Sequence, residues 1–218
     1  LDAADHARLH SLGAVYQEPL WLFYRSGLDL ERIADLLPLR LAIGSADSGT
    51  LAATEAILGA NAIPPEQYPP NWQTTGGGKA GRALMAGELD AAFFIGPAEN
   101  ALVQQLAAHP DLSLATFRRA AAYEARLPFL KRITVGEGLL NLAQNAPARD
   151  TVTLSAVATL VINQNFHPGL APLILEAARE VMKNGSLLDQ AGAFPSAEPR
   201  TFALSSDAEH YYNNGLPL

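Results

Sequence analysis

Residues 39–58 read LRLAIGSADSGTLAATEAIL, and the change of period inside them decides the fold class. Leu39, Leu41 and Ile43 alternate with Arg40 and Ala42, the two-residue repeat of a strand with one buried face. Gly44 breaks the repeat, and Ser45 to Gly49 is a turn of small, mostly polar residues. From Thr50 onward Ala, Leu, Glu and Ile dominate, which predicts a helix capped by Ser48. A strand that runs into a helix through such a turn directs free backbone N–H groups, and the positive end of the helix dipole, at one point. That point suits a carboxylate or a phosphate. A plain βα turn capped by Ser48 accounts for the same residues, and both readings stand at this stage.

On the N-terminal side, Leu12 to Tyr24 (LGAVYQEPLWLFY) is rich in aromatic and aliphatic residues and is interrupted by Glu18–Pro19. Proline removes a ladder donor, so the stretch reads as an edge strand or a strand crossing between two bodies. Tyr16 and Glu18 are then either a ligand-facing pair or a packed ring beside a solvated carboxylate. Asp2 to His10 reads as a polar, helical or frayed start. Gly27 to Leu37 predicts a short helix with Ile33, Leu36 and Leu37 inward, stopped by Pro38.

On the C-terminal side, the prolines at 64, 65, 69 and 70 mark an extended connector, and Trp72 to Thr75 a brief strand. Gly76-Gly77-Gly78-Lys79 is not a phosphate loop, because the G-x-x-x-x-G-K-[ST] spacing is absent and Ala80 stands where Ser or Thr is needed. No long apolar strand precedes it as a dinucleotide fingerprint requires, so it reads as a flexible start to the helix Lys79–Met85. Ala91 to Ile95, closed by Gly96–Pro97, is an apolar run of the kind buried in parallel sheets. A helix over 98–108 and a short strand over 112–117 follow, and then an apolar, basic stretch over 128–135 and a flexible bend at 136–138. Residues 150–163, DTVTLSAVATLVIN, form the longest strand-like segment, long enough to cross from one lobe to another. His167–Pro168 opens a helix over 169–183 with Leu173, Ile174, Ala177 and Val181 on one face. Residues 187–218 alternate turns and short apolar patches.

Composition narrows the function classes. With 218 residues, 49% apolar and 17% charged, the chain has the make-up of a packed globular protein that buries roughly 70% of its unfolded surface. A net charge of −7 with scattered Lys and Arg is not the footprint of a nucleic-acid binder. The absence of cysteine removes disulfides, thiolate nucleophiles and Cys-based zinc sites. No run of 18 apolar residues occurs. His6 and His10 are spaced for one face of a helix, but no third ligand follows at metal-site spacing. Gly44-Ser45-Ala46-Asp47-Ser48-Gly49 is not G-x-S-x-G, and no histidine accompanies a recognisable nucleophile. Asp90 reads as a local cap or ion-pair partner, with a general base as the alternative. No catalytic residue, cofactor or metal is expected.

Four stretches together resemble the solute-binding proteins of TRAP-type transporters, specifically the TAXI family. They are Tyr16-Gln17-Glu18-Pro19-Leu20-Trp21, Gly44 to Thr50, Gly87-Glu88-Leu89-Asp90-Ala91-Ala92-Phe93-Phe94, and Thr159-Leu160-Val161 through His167-Pro168. The resemblance covers most of the chain. It implies the type II periplasmic binding protein fold: α/β, with a mixed, mostly parallel sheet flanked by helices, as one complete lobe plus part of the other. Residues 1–24 would hold the first crossing strand, 25–150 the complete lobe, and 151–218 the second crossing strand and returning C-terminal helices. Relatives carry a further lobe of roughly a hundred residues, an ordinary domain size, ahead of the place of Leu1, so on this reading the chain is a fragment lacking the N-terminal part. The tail Tyr211 to Leu218 is similar to relatives that continue toward a membrane segment.

The function implied is capture of a small anionic solute, a carboxylate or amino acid, outside the cytoplasmic membrane for membrane transporter subunits, with no nucleic acid partner and with self-association of the fragment. The ligand carboxylate would sit on the N–H groups of Ser48, Gly49 and Thr50, with Ser45, Asp47 and Thr50 in the same turn. Tyr16, Glu18, Phe94, Ile95 and Gly96 would form the wall of a pocket that closes between two lobes. Two other readings remain: the effector-sensing domain of a bacterial transcription regulator, and a two-lobed α/β transferase.

Overall fold

The computed structural model describes residues 8–198 and 202–216. The chain divides into two compact units, Glu18–Ala156 and a second made of Leu1–Gln17 with Val157–Leu218. Two strands, β1 (Leu9–Arg25) and β7 (Thr151–Asn163), belong partly to each unit. The expected lobe 25–150 falls inside the larger one.

In the larger unit the strands between them are β2 (Leu41–Ala42), β3 (Trp72–Gln73), β4 (Ala91–Ile95), β5 (Leu112–Leu114) and β6 (Lys131–Val135). The sheet order is β3-β2-β4-β1-β7-β6, with β5 paired to β1 off that path. β2 runs parallel to both β3 and β4, with Leu41 opposite Trp72 on one side and Ala91 on the other. β1 is antiparallel to β4 and β5, and β6 to β7. The protein is thus mixed α/β with a sheet flanked by helices; the expectation of a mostly parallel sheet is corrected, because the parallel ladders are those of the β3-β2-β4 segment while β1 with β4 and β5, and β6 with β7, are antiparallel. Four helices belong to this unit: α1 (Gly49–Ala60), α2 (Gly77–Met85), α3 (Ala101–Ala107) and α4 (Ala120–Arg126).

Of the two readings of the Pro19 stretch, an edge strand or a strand crossing between two bodies, the edge strand is corrected, because β1 lies between β4 and β7. The proline lacks the N–H that would meet the next strand. The indole of the fully buried Trp21 supplies the missing donor: its Nε1 donates to the Gly96 carbonyl at 2.8 Å, while the Gly96 N–H donates to the Pro19 carbonyl at 3.4 Å. Around this point Leu20, Leu22, Leu41, Ile57 and Phe93 form one apolar cluster, each buried side chain contributing about 1.5–3 kcal/mol. The 27–37 helix is a single 3-10 turn, Ile33–Leu36, with Ile33 and Leu36 buried and Leu37 at the surface.

In the smaller unit α5 (Ala171–Met182) and α6 (Ser206–Asn214) pack around Leu12, with Ala171, Leu175, Ala208 and Tyr211 as the core. The Tyr212 hydroxyl donates to the Leu12 carbonyl at 3.0 Å, and the Tyr211 hydroxyl to Glu176 Oε2 at 2.8 Å. On α5 the face picked out by the apolar period is not the buried one. Leu173 is 60% and Val181 72% exposed, and the buried residues are Ala171, Pro172 and Leu175. His10 lies in β1 rather than in a helical start, and His6 falls outside the described residues. Among the described residues no helix is long and apolar enough to cross a membrane.

Candidate functional site

The parallel strands β2, β3 and β4 end at one edge of the larger unit, and each is followed by a helix, α1, α2 and α3. In open α/β sheets this edge is where ligands bind. Past β2 the ladder continues through Ile43 N–H to the Gln73 carbonyl and Gly44 N–H to the Thr75 carbonyl, both at 3.1 Å. Gly44 then turns with φ +110°, and a Cβ on it would lie 2.5 Å from the Leu51 nitrogen. That approach sets the first turn of α1 directly over the end of its strand.

The turn after β3 comes up beside the turn after β2. A Cβ on Gly76 would lie 2.9 Å from both the nitrogen and Oγ of Ser45. α2 starts from Gly76 with no side-chain cap, so the positive ends of two helix dipoles meet in this region. The Gly76 stretch, read from the sequence only as a flexible helix start, is therefore a wall of the Ser45 turn. Three successive glycines after a short strand were the one local sign of such a close approach.

Within the turn the polar groups divide into used and unused. Ser48 is fully engaged: its N–H donates to the Ser45 carbonyl at 3.2 Å, its hydroxyl donates to the same carbonyl at 2.7 Å and accepts from Leu51 N–H at 3.2 Å. The expectation that the Ser48 N–H is a free donor is corrected by this bond. The amides of Gly49 and Thr50 sit in the first turn of α1, where a helix offers no acceptor. The hydroxyls of Ser45 and Thr50 have no hydrogen-bond partner among the described residues. Asp47 is exposed and holds the left-handed φ of +58°.

The other expected wall residues are placed differently. Phe94 is 4% exposed and its ring packs edge-on against Phe23 with centroids 6.3 Å apart, so its side chain belongs to the core. Ile95 is half-buried, and both backbone groups of Gly96 are bound to β1, as described above. Glu18 is half-buried in the larger unit, and Tyr16 is half-buried on the part of β1 that belongs to the smaller one. Asp90 sits at the opposite edge of the sheet, ahead of β4. Arg40 binds it through Nε to Oδ2 at 3.0 Å, through a terminal nitrogen to Oδ1 at 2.6 Å, and through its own N–H to Oδ2 at 2.8 Å. These hydrogen bonds hold the Asp90 carboxyl below the usual carboxylate range and tie the start of β2 to the start of β4. Among the described residues no group of three or more His, Cys, Asp or Glu is arranged to hold a metal.

The model of the NMT1-like family matches residues 2–206. No curated protein matches. Among solved structures, an ancestral arginine-binding protein bound to arginine is 13% identical with a TM-score of 0.44, covering 86% of this chain and 64% of its own. A structure from work on glutathione import via GshT and the cystine ABC importer TcyBC of Streptococcus mutans is 10% identical with a TM-score of 0.47, covering 86% and 62%. A TctC solute binding protein from Polaromonas, without ligand, is 13% identical with a TM-score of 0.43, covering 84% and 58%. The chain thus spans less than two thirds of the length of these proteins.

Proposed function

The chain belongs to the NMT1-like family, and from that premise we propose that it is a solute-binding module that holds a small carboxylate or amino acid at the turn after β2. The observation that carries the reading is the set of unengaged donors gathered there. The Gly49 and Thr50 amides and the Ser45 and Thr50 hydroxyls lie at the N-terminus of α1, beside the uncapped start of α2. An anion placed on them receives charge-assisted hydrogen bonds and two helix dipoles. Asp47 in the same turn is the complementary charge for an α-ammonium group, which favours an amino acid over a simple acid. Ser48 acts by positioning, since its hydroxyl holds Leu51 and the Ser45 carbonyl in place.

The stretches similar to TAXI proteins support a finer reading: an extracytoplasmic component of a TRAP-type transporter that delivers this solute to membrane subunits and performs no chemistry on it. Calorimetric titration with a panel of small carboxylates and amino acids tests the site. Thr50→Val keeps the shape and removes one hydroxyl, and the expected loss is about tenfold in affinity. Gly49→Asp brings a carboxylate among the donors and abolishes binding. Equal affinities for wild type and both variants would remove this turn from the site.

A further inference from the structure

At the other edge of the larger unit, where β4 begins rather than ends, lies a cavity of about 880 Å³. Its position follows from register. Tyr24 of its wall is paired with Ala91, the first residue of β4, and with Ser113 of β5. The volume is within the ~300–1,000 Å³ of small-molecule sites. None of the groups discussed so far as solute ligands reaches it.

The opposite wall is an arch over 137–150 held by its own hydrogen bonds. Gly138 N–H donates to the Pro147 carbonyl at 2.9 Å, Leu140 and Asn141 both donate to the Ala146 carbonyl, and Ala146 donates back to Asn141 at 2.9 Å. An arch pinned at so many points keeps the cavity open without a ligand, which lowers the entropy lost on binding.

The chemistry of the lining is one-sided. In a chain of net charge −7, the lining contains Arg149 and His109 and no carboxylate. The acids of the arch are turned to other work: Asp150 Oδ1 accepts from Glu137 N–H at 2.9 Å, and Glu137 Oε1 accepts from Asn145 Nδ2 at 2.7 Å. The Arg149 side chain has no ion-pair or hydrogen-bond partner among the described residues. His109 Nδ1 is occupied by the Asp111 N–H at 3.3 Å, leaving the Nε2 edge of the ring. Leu112, Leu114 and Leu140 give the same cavity an apolar surface.

We propose that this cavity is a second binding site, for an organic anion with an apolar body, whose charged group is held by Arg149 and whose body lies against Leu112, Leu114 and Leu140. The probe is 2-naphthoate, titrated calorimetrically into the full chain, with 2-naphthalenemethanol as its neutral counterpart. Naphthoate is expected to bind and the alcohol to bind at least tenfold more weakly, the loss of about one charge-assisted contact. Arg149→Gln, an exposed position that leaves folding intact, should raise the naphthoate Kd about tenfold and erase the preference over the alcohol. Ala108→Trp, which fills the cavity, should abolish binding, while Thr50→Val should leave the naphthoate Kd unchanged. Absence of naphthoate binding to wild type, equal affinity in Arg149→Gln, or a loss confined to Thr50→Val would each overturn the proposal; the first two leave solute binding at the β2 turn untouched, and the third would seat naphthoate at that turn instead.

Discussion

Replacing Gly44 by alanine separates the geometry of the β2 turn from its composition. The added Cβ would lie 2.5 Å from the Leu51 nitrogen and 3.0 Å from Leu51 Cα and the Thr50 carbonyl carbon. All three are backbone atoms of the first turn of α1, with no flexible side chain to move aside. Reaching ordinary contact near 3.5 Å takes a displacement of roughly 1 Å at that helix start. The φ of +110° adds a conformational penalty of about 1–2 kcal/mol for an L-residue. Together these give a destabilisation of about 2–4 kcal/mol, in the range of substitutions that break a special backbone position. At about 2–4 °C per kcal/mol for a chain of this size, the melting temperature should fall by roughly 5–15 °C. Gly49→Ala is the control: no atom lies within 4 Å of its Cβ and its φ is not in the left-handed region, so the expected change is neutral to stabilising by about 0.4–1 kcal/mol. Urea denaturation followed by circular dichroism compares the three proteins, read as midpoint shifts. Under subdenaturing conditions, Gly44→Ala should also bind carboxylates more weakly than Gly49→Ala, because the displaced turn carries the Gly49 and Thr50 amides. Midpoints for Gly44→Ala and wild type that coincide would refute the close approach on which the site geometry rests.

Two further outcomes follow from titrating groups. Arg40 hydrogen bonds hold Asp90 below its ordinary value, so the pair stabilises the fold fully above about pH 4, where the unfolded residue is ionised, and that contribution disappears as the pH falls through the lower folded-state value; wild type should exceed Asp90→Asn in urea midpoint at pH 7 and lose the advantage in acid, and a gap independent of pH would count against the assignment. Burial pushes the Tyr212 phenol up to about 12, so its contribution is complete below about pH 10 and is lost between there and about 12; Tyr212→Phe should destabilise by about 1 kcal/mol at pH 7 through the hydrogen bond to Leu12, and ultraviolet titration should lose one late-ionising tyrosine, whereas an unchanged titration curve would show the phenol to be ordinary.

The parts of this molecule that were legible in its sequence are those in which neighbours along the chain do the explaining. A two-residue period, a glycine and a capping serine lie within ten positions of one another, and β2, the turn and α1 follow from them with Ser48 as the cap. Where the reading failed, the missing term was supplied by a distant residue. Pro19 left an edge strand open beside a crossing strand because its lost donor was counted locally, yet the donor is returned by the Trp21 indole to a carbonyl 75 positions away in sequence. The α5 stripe of Leu173, Ile174, Ala177 and Val181 is a valid helical period, but Ala171 and Leu175 also lie on one face, and only the positions of Leu12 and Tyr211 decide which face is covered. The same division runs through the candidate site. Ser45, Ser48, Gly49 and Thr50 are one turn and could be proposed together, while the contact of Gly76 with Ser45 crosses a whole helix and strand. Ser48 shows the remaining ambiguity most sharply. The residue type that could ligate an anion is also the one that caps a helix, and only the bonds it makes to Ser45 and Leu51 assign it to the second task. Half of the donors proposed at this turn, the Gly49 and Thr50 amides, are backbone groups, which a sequence motif marks only through the small residues that leave them uncovered.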